Sequence, residues 1–407
     1  MRIILSIILA LSLQLSQAQL PQKSYALTNV NLFNGVDNKI TPNVIIFIKD
    51  KKIERIGKTG DVIGKEYEIV DCMGNYAAPG MIDAHTHIST LESAKRALLS
   101  GVTTVRSAGV SSFEDVAIRE LAKSGRIAGP DIIPAGVFIR PTIDDDVLAD
   151  PRLVSLLSGV STDEELKLLV NVNIDRGAEV IKTRSTERAG LPETDPRQQS
   201  YTQHQVKIIV DEAAKRKVPV MVHAHGDEGA RAAVLAGAKS IEHASFLTEQ
   251  TLLLMKEKGT FLVPTFITLE DLTTPGGDFS SAALELRGKF MLPSAEKVFR
   301  KAHSLGVKIA TGADNFYSST STSRISLEAE HFVRMGMTNF EALQSATVVS
   351  ADLIGLSSRT GRIVPGYEAD IIILPANPLE DIKALQDVLI IVSNGYLPLK
   401  RLPFGKE

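Results

Sequence analysis

Between residues 78 and 356, short apolar runs alternate with stretches whose apolar positions recur every three or four residues. This is the pattern of strands followed by amphipathic helices. The predicted strands are 80–84, 102–106, 131–135, 178–183, 218–224, 240–243, 260–264 and 307–312, and the predicted helices are 92–99, 115–123, 163–173, 205–217, 228–235, 248–257 and 342–353. Eight strands, most followed by a helix, make an α/β chain of parallel units and predict a TIM (β/α)8 barrel. An open doubly wound sheet is the alternative, but it does not explain why polar residues of metal-binding type recur at strand ends. Longer connections are expected at 140–159, 183–202 and 269–292, and such loops commonly shape a site.

Outside this region the texture changes to short β-like runs, at 25–32, 43–49, 52–56 and 67–71 and again at 361–374 and 388–397. Chain ends often lie close together, so the two groups are expected to pair as a small accessory β-sandwich built from 19–77 and 357–407, with the barrel over 78–356 inserted between them. Residues 1–18 read as Met-Arg, an apolar run over 3–15, then Ser16-Gln17-Ala18. That order matches a secretory signal cleaved after Ala18 and predicts a secreted or periplasmic protein. The apolar run is too short for a stable membrane span.

Composition narrows the partner. The 407 residues are 44% hydrophobic and 23% charged with a formal net charge of -3, values of an ordinary globular protein. Without a strong charge or like-charge runs there is no basis for nucleic acid or an acidic membrane as partner; a small-molecule substrate is expected. The single cysteine, Cys72, cannot form an intramolecular disulfide and reads as a buried thiol.

The chemistry gathers at strand ends. His85 and His87 end the first predicted barrel strand, His223 and His225 the fifth, His243 the sixth, and Asp314 follows the eighth. Residues i and i+2 of a strand share a side, so each pair of imidazoles can converge on one cation. On spacing alone either His223 or His225 could ligate. Barrel enzymes build their sites on this face from several strands, and Asp314 could bind a cation and accept a proton from water; its bland alternative is a helix cap. Lys182 stands in the apolar strand Val180-Ile181-Lys182-Thr183. It is either a lysine paired with a nearby acid or an amine converted by carbon dioxide to a carbamate, an anionic oxygen donor able to bridge two cations. His204, His303 and His331 fall on predicted outer helices, remote from the strand ends.

These segments, together with Ala78-Pro79-Gly80-Met81-Ile82-Asp83-Ala84-His85-Thr86-His87, Gly101-Val102-Thr103-Thr104-Val105-Arg106, Ile241-Glu242-His243 and the tail Gly361 through Asp370, resemble the amidohydrolase superfamily, in its prolidase-like and imidazolonepropionase-related branch. The resemblance implies two divalent cations, zinc by expectation. His85, His87 and Asp314 would hold one, His223 and His243 the other, and N6-carboxylated Lys182 would bridge them, leaving His225 beside the ligands or against substrate. The segment 135–144 lacks the Gly-Gly-His of dipeptidase-type members, and Ser107 stands where Asp commonly follows the arginine.

A hydrolase of carbon–nitrogen bonds follows as the expectation, with a dipeptide of the Xaa-Pro type or an N-acyl amino acid as substrate. A free substrate carboxylate calls for an arginine or hydroxyl, and Arg184 and Tyr201 are the candidates from the loop after Lys182. A cyclic amidohydrolase, deaminase or lactonase would use the same site on another bond, and a non-enzymatic metal-retaining envelope protein is the rival from a different class.

Overall fold

Five strands open the described chain: β1 (Ser24–Leu32), β2 (Thr41–Lys49), β3 (Lys52–Lys58), β4 (Tyr67–Asp71) and β5 (Tyr76–Pro79). The computed structural model describes residues 23–278 and 281–401, so the signal-like segment 1–18 lies outside the described residues. The turn between β2 and β3 is made by Asp50 and Lys51, with φ of 51° and 65°, the left-handed backbone that a two-residue hairpin requires. Seven strands follow: β6 (Met81–Thr86), β7 (Val102–Ser107), β8 (Asp131–Ile133), β9 (Ile181–Arg184), β10 (Val220–Gly226), β11 (Ser240–Phe246) and β12 (Phe261–Val263). The chain closes with β13 (Ile371–Leu374), β14 (Ile390–Ser393) and β15 (Tyr396–Lys400).

The strands of both termini share one sheet, ordered β15-β14-β13-β5-β1-β2-β3 with β4 also paired to β1. The sheet is continuous because β13 runs antiparallel to β5, Ile371 opposite Pro79. It bends over a core in which Leu27, Ile46, Ile53, Ile373 and Val392 are buried together, although β3 and β14 lie near opposite ends of the strand order. Hydrogen bonds from Ile53 N to Tyr367 O and from Ala369 N to Lys51 O, both 2.8 Å, hold the bend. One wrapped sheet therefore stands where two facing sheets were expected.

Gly80 joins this sheet to β6. A Cβ there would lie 2.2 Å from Thr103 Oγ1, so only glycine lets β5 pass this close to β7. Its N–H donates to Asp370 O at 2.9 Å, and the Asp370 carboxyl accepts from Thr360 Oγ1 at 2.8 Å and Ser393 Oγ at 3.2 Å. The tail motif thus ties the C-terminal strands to the entry of β6. Burial pushes the Asp370 carboxyl up to about 8, whereas an unfolded aspartate titrates near about 3.9. Between those values the folded chain binds the extra proton, so stability falls as pH rises. In Asp370→Asn this fall is expected to be smaller, and the Tm of the variant relative to the parent should climb from pH 5 to pH 8. A difference that is flat across this range would contradict the assignment.

The central strands are all parallel. β6-β7-β8 form one sheet and β9 to β12 another. Isolated parallel bridges continue the pairing: Ile139 with Thr183 leads from the segment after β8 into β9, and Leu262 with Ile309 leads out of β12. Ala84 N then donates to Thr311 O at 3.0 Å and Asp314 N to His85 O at 2.7 Å, so the last parallel segment returns to the first. Helices such as Leu91–Leu99, Asp163–Arg176 and Asp227–Ala236 fill the crossovers, giving the mixed α/β content expected of βα units.

Three expectations are corrected. The segment 307–312 is no full strand: Ile309 makes one bridge, and Ile82 N on β6 donates to Ala346 O at 2.8 Å, outside any ladder. The segment 269–292 is largely helical, for helix Phe266–Asp271 enters it and helix Ala282–Leu305, 24 residues long, carries Pro293 in its interior. A proline inside a helix blurs its sequence signal. The single helix expected at 342–353 is two, Asn339–Ser345 and Val348–Leu353.

Candidate metal centre

His85 and His87 leave the C-terminal end of β6 on the same side. His85 Nδ1 meets Glu242 Oε2 at 2.7 Å, and His87 Nδ1 meets Gly109 O at 2.7 Å. The Gly109 oxygen can only accept, and Glu242 is ionised, so both Nδ1 atoms carry the proton and both Nε2 atoms turn toward the centre. They face Asp314 Oδ1, at 3.3 Å from His85 and 3.1 Å from His87. Glu242 is wholly buried on β11 and receives Arg106 Nη2 at 3.0 Å. Burial alone would raise its carboxyl, but Arg106 and then His85 bring it to about 2.

Asp83 fixes Asp314 to this strand. Its Oδ1 accepts from His85 N at 3.0 Å and Ala313 N at 3.2 Å, and its Oδ2 from Tyr317 OH at 2.8 Å. These bonds add to the backbone pairing of the last parallel segment with β6, where Ala84 N donates to Thr311 O and Asp314 N to His85 O. They hold Asp314 at φ 45°, a left-handed conformation that its surroundings must over-determine.

The second cluster comes from β10 and β11. Ligating atoms of His223, His225 and His243 lie within 4.8 Å of one another, as do those of His85, His87 and Asp314. His223 Nε2 donates to Glu187 O at 3.1 Å, which frees its Nδ1. His225 Nδ1 pairs with Ser245 Oγ at 2.9 Å and His243 Nδ1 with Thr265 Oγ1 at 2.6 Å. Burial lowers the imidazoles of His87, His223 and His243 and brings His225 to about 3, so they stand neutral with lone pairs available. Burial would raise Asp314, but the surrounding imidazoles hold it well below the usual carboxylate range. Neutral imidazoles beside an ionised carboxylate, each oriented by a partner behind it, form a donor set that fits a divalent cation.

Lys182 stands against the first triad and lines the same cavity as the second. It is 2% exposed, and its Nζ is 3.2 Å from His85 Nε2. Burial brings its amine down to about 8, so an appreciable fraction is free base near neutrality. The centre opens into a cavity of about 550 Å³ whose wall includes both triads, Lys182, Phe138, Arg140 and Arg188. Phe316 stacks on His87 at 5.0 Å.

The other named residues fall elsewhere. Tyr201 is buried outside the cavity wall, its hydroxyl donating to Val160 O at 2.7 Å. Arg184 is also outside it and pairs with Glu187 at 3.3 Å. His204, His303 and His331 pair with Asp163, Glu341 and Glu270 on outer helices. Arg188, Glu242 and Arg106 were not foreseen as functional. The available signal was a charged residue inside each of two apolar strands, Arg106 on β7 and Glu242 on β11, of opposite sign and therefore able to pair.

The amidohydrolase family profile matches residues 76–396. Ochratoxinase of Aspergillus niger is 29% identical over 392 residues, covering 86% of this chain and 81% of its own. A solved Xaa-Pro dipeptidase with methionine bound in its active site is 27% identical and superposes with a TM-score of 0.81 over 92% of this chain and 99% of the other. A prolidase solved with N-methylphosphonate-L-proline is 25% identical, with a TM-score of 0.79 over 93% of this chain and 100% of the other.

Proposed function

The chain belongs to the amidohydrolase family and is a hydrolase of carbon–nitrogen bonds in a small molecule, and from that premise we propose that it cleaves the amide bond of an Xaa-Pro-type dipeptide or an N-acyl amino acid at a binuclear centre. The observation that carries this reading is the pair of triads in the wall of one cavity with a buried amine in the same wall, 3.2 Å from His85. The closed run of parallel segments is read as a TIM barrel with the triads on its C-terminal face, and the wrapped sheet of the two termini as its accessory domain. Export through residues 1–18 belongs to the same reading.

His85, His87 and Asp314 would hold one ion, and His223 and His243 the other. Imidazole and carboxylate donors suit zinc. Divalent ions, when bound, supply Lewis acidity that acidifies water and polarises a carbonyl. Lys182 in its free-base form would add to carbon dioxide: the nitrogen–carbon bond forms, a proton leaves the nitrogen for solvent, and an anionic oxygen donor replaces an amine. Glu242 keeps the His85 Nε2 lone pair directed at the centre. Asp314 would take the proton of the attacking water and return it to the departing nitrogen, which is expelled as an amine and not as an amide anion. His225, neutral and in the cavity wall, would contact substrate.

A panel of Xaa-Pro dipeptides, N-acyl amino acids and cyclic imides tests the reading, with Asp314→Asn as the control. Turnover of an acylated amino acid or dipeptide by the parent chain, and not by the control, is the expected result. Turnover of the imides alone would move the assignment to a cyclic amidohydrolase.

A further inference from the structure

Two arginines line the cavity, and they differ in what they are already bound to. Arg140 is committed, with Nε donating to Thr142 O at 2.7 Å and Nη2 lying 3.0 Å from Asp146 Oδ2. Arg188 is exposed to the cavity, and among the described residues its guanidinium has no acidic partner and no hydrogen bond. Its charge is near enough to bear on both Lys182 and His223. An unmatched guanidinium facing the cavity beside a metal-type centre offers a planar, two-pronged site for a carboxylate.

The loop that presents it is built for fixed placement. At its neck Glu187 N donates to Gln198 O and Ser200 N to Ser185 O, both at 2.9 Å. Its far side is clamped by Arg287 from helix Ala282–Leu305: Nη1 donates to Ala189 O at 2.8 Å and also to Leu191 O, while Nη2 donates to Pro192 O at 2.9 Å and Thr194 O at 2.6 Å. Thr194 Oγ1 closes the loop on Arg188 O at 2.7 Å. One guanidinium thus satisfies four carbonyls of a single loop. A lysine cannot reproduce that planar fork.

We propose that Arg188 anchors the carboxylate on the amine side of the scissile amide, and that Arg287 is a positioning residue acting through the loop that carries Arg188. The substrate class is then amides whose departing amine is an amino acid with a free carboxylate. This rests on the proposed amide hydrolysis, which it refines.

The test compares an N-acyl amino acid with its neutral carboxamide in the zinc-loaded parent, Arg188→Gln, Arg287→Met and the double variant. The parent is expected to favour the acid by roughly 10- to 100-fold in kcat/KM, the worth of a hydrogen-bonded charge pair. In Arg188→Gln that ratio collapses toward one, chiefly through KM. Arg287→Met raises KM for the acid, hastens tryptic cleavage after Arg188 or Arg197, and adds little on top of Arg188→Gln, because both act on one contact. A ratio unchanged by Arg188→Gln overturns the anchor, and full additivity in the double variant overturns the role of Arg287. If the parent hydrolyses no amide, the functional reading fails while equilibrium binding of N-acetyl-L-phenylalanine against its carboxamide still decides the anchor: selective binding lost in Arg188→Gln supports it, and equal binding overturns it.

Discussion

Asp314→Asn is expected to lower kcat by about 10²- to 10⁴-fold at saturating metal, the range for removing a positioned general base. Asparagine keeps an oxygen where Asp314 faces His85 and His87, 3.3 and 3.1 Å away, and leaves untouched the backbone bonds that Asp83 makes to His85 and Ala313. The segment should therefore keep its place. What is lost is the negative charge and the capacity to carry a proton between water and the departing nitrogen. Steady-state kinetics with metal content measured on the same sample separates the two losses: extra metal recovers the first and cannot recover the second. A variant that regains the parent kcat once loaded would remove Asp314 from the proton path and leave it only a ligand.

The parts of the centre that were legible in the sequence are those set by strand geometry. His85 and His87, two apart at the end of an apolar run, had to share a side, and His223 and His225 repeat the arrangement on β10. The structure brings all four together with His243, Asp314 and Lys182 around one cavity. What escaped depends on partners far apart in the chain. Arg106 and Glu242 are separated by 136 positions, and either alone reads as a charge of unknown surroundings. Arg184 was the expected carboxylate anchor because it lies on the loop side of Lys182, but it ends β9 and turns to Glu187. Arg188 takes the cavity position because Arg287, 98 residues from Ala189, holds the loop in place. No local pattern announces such a clamp. The short pairing of the last parallel segment has a similar origin, since Asp83 supplements its few backbone bonds by accepting from Ala313 N and Tyr317 OH, 230 and 234 positions away.

Removing the Lys182 side chain should separate catalysis from folding. With no ion bound, the chain buries an amine whose nearest polar contact is a histidine nitrogen at 3.2 Å, and burying an ammonium without a good partner costs stability. Lys182→Ala is therefore expected to leave the Tm of the metal-free chain equal to the parent or above it. With zinc supplied, the same change should cut the bound metal from about two ions per chain to about one and lower kcat by about 10- to 100-fold, the order seen when a group supporting a metal centre is lost. A short carboxylate such as acetate or propionate, small enough for the space vacated, should restore part of both, because the role assigned to Lys182 is that of a carboxylate on a stem. Depleting carbon dioxide during metal loading should imitate the substitution in the parent chain, with bicarbonate reversing it. If Lys182→Ala instead lowered the Tm of the metal-free chain and kept two ions, Lys182 would be a structural lysine and the centre would hold its ions through histidine and Asp314 alone.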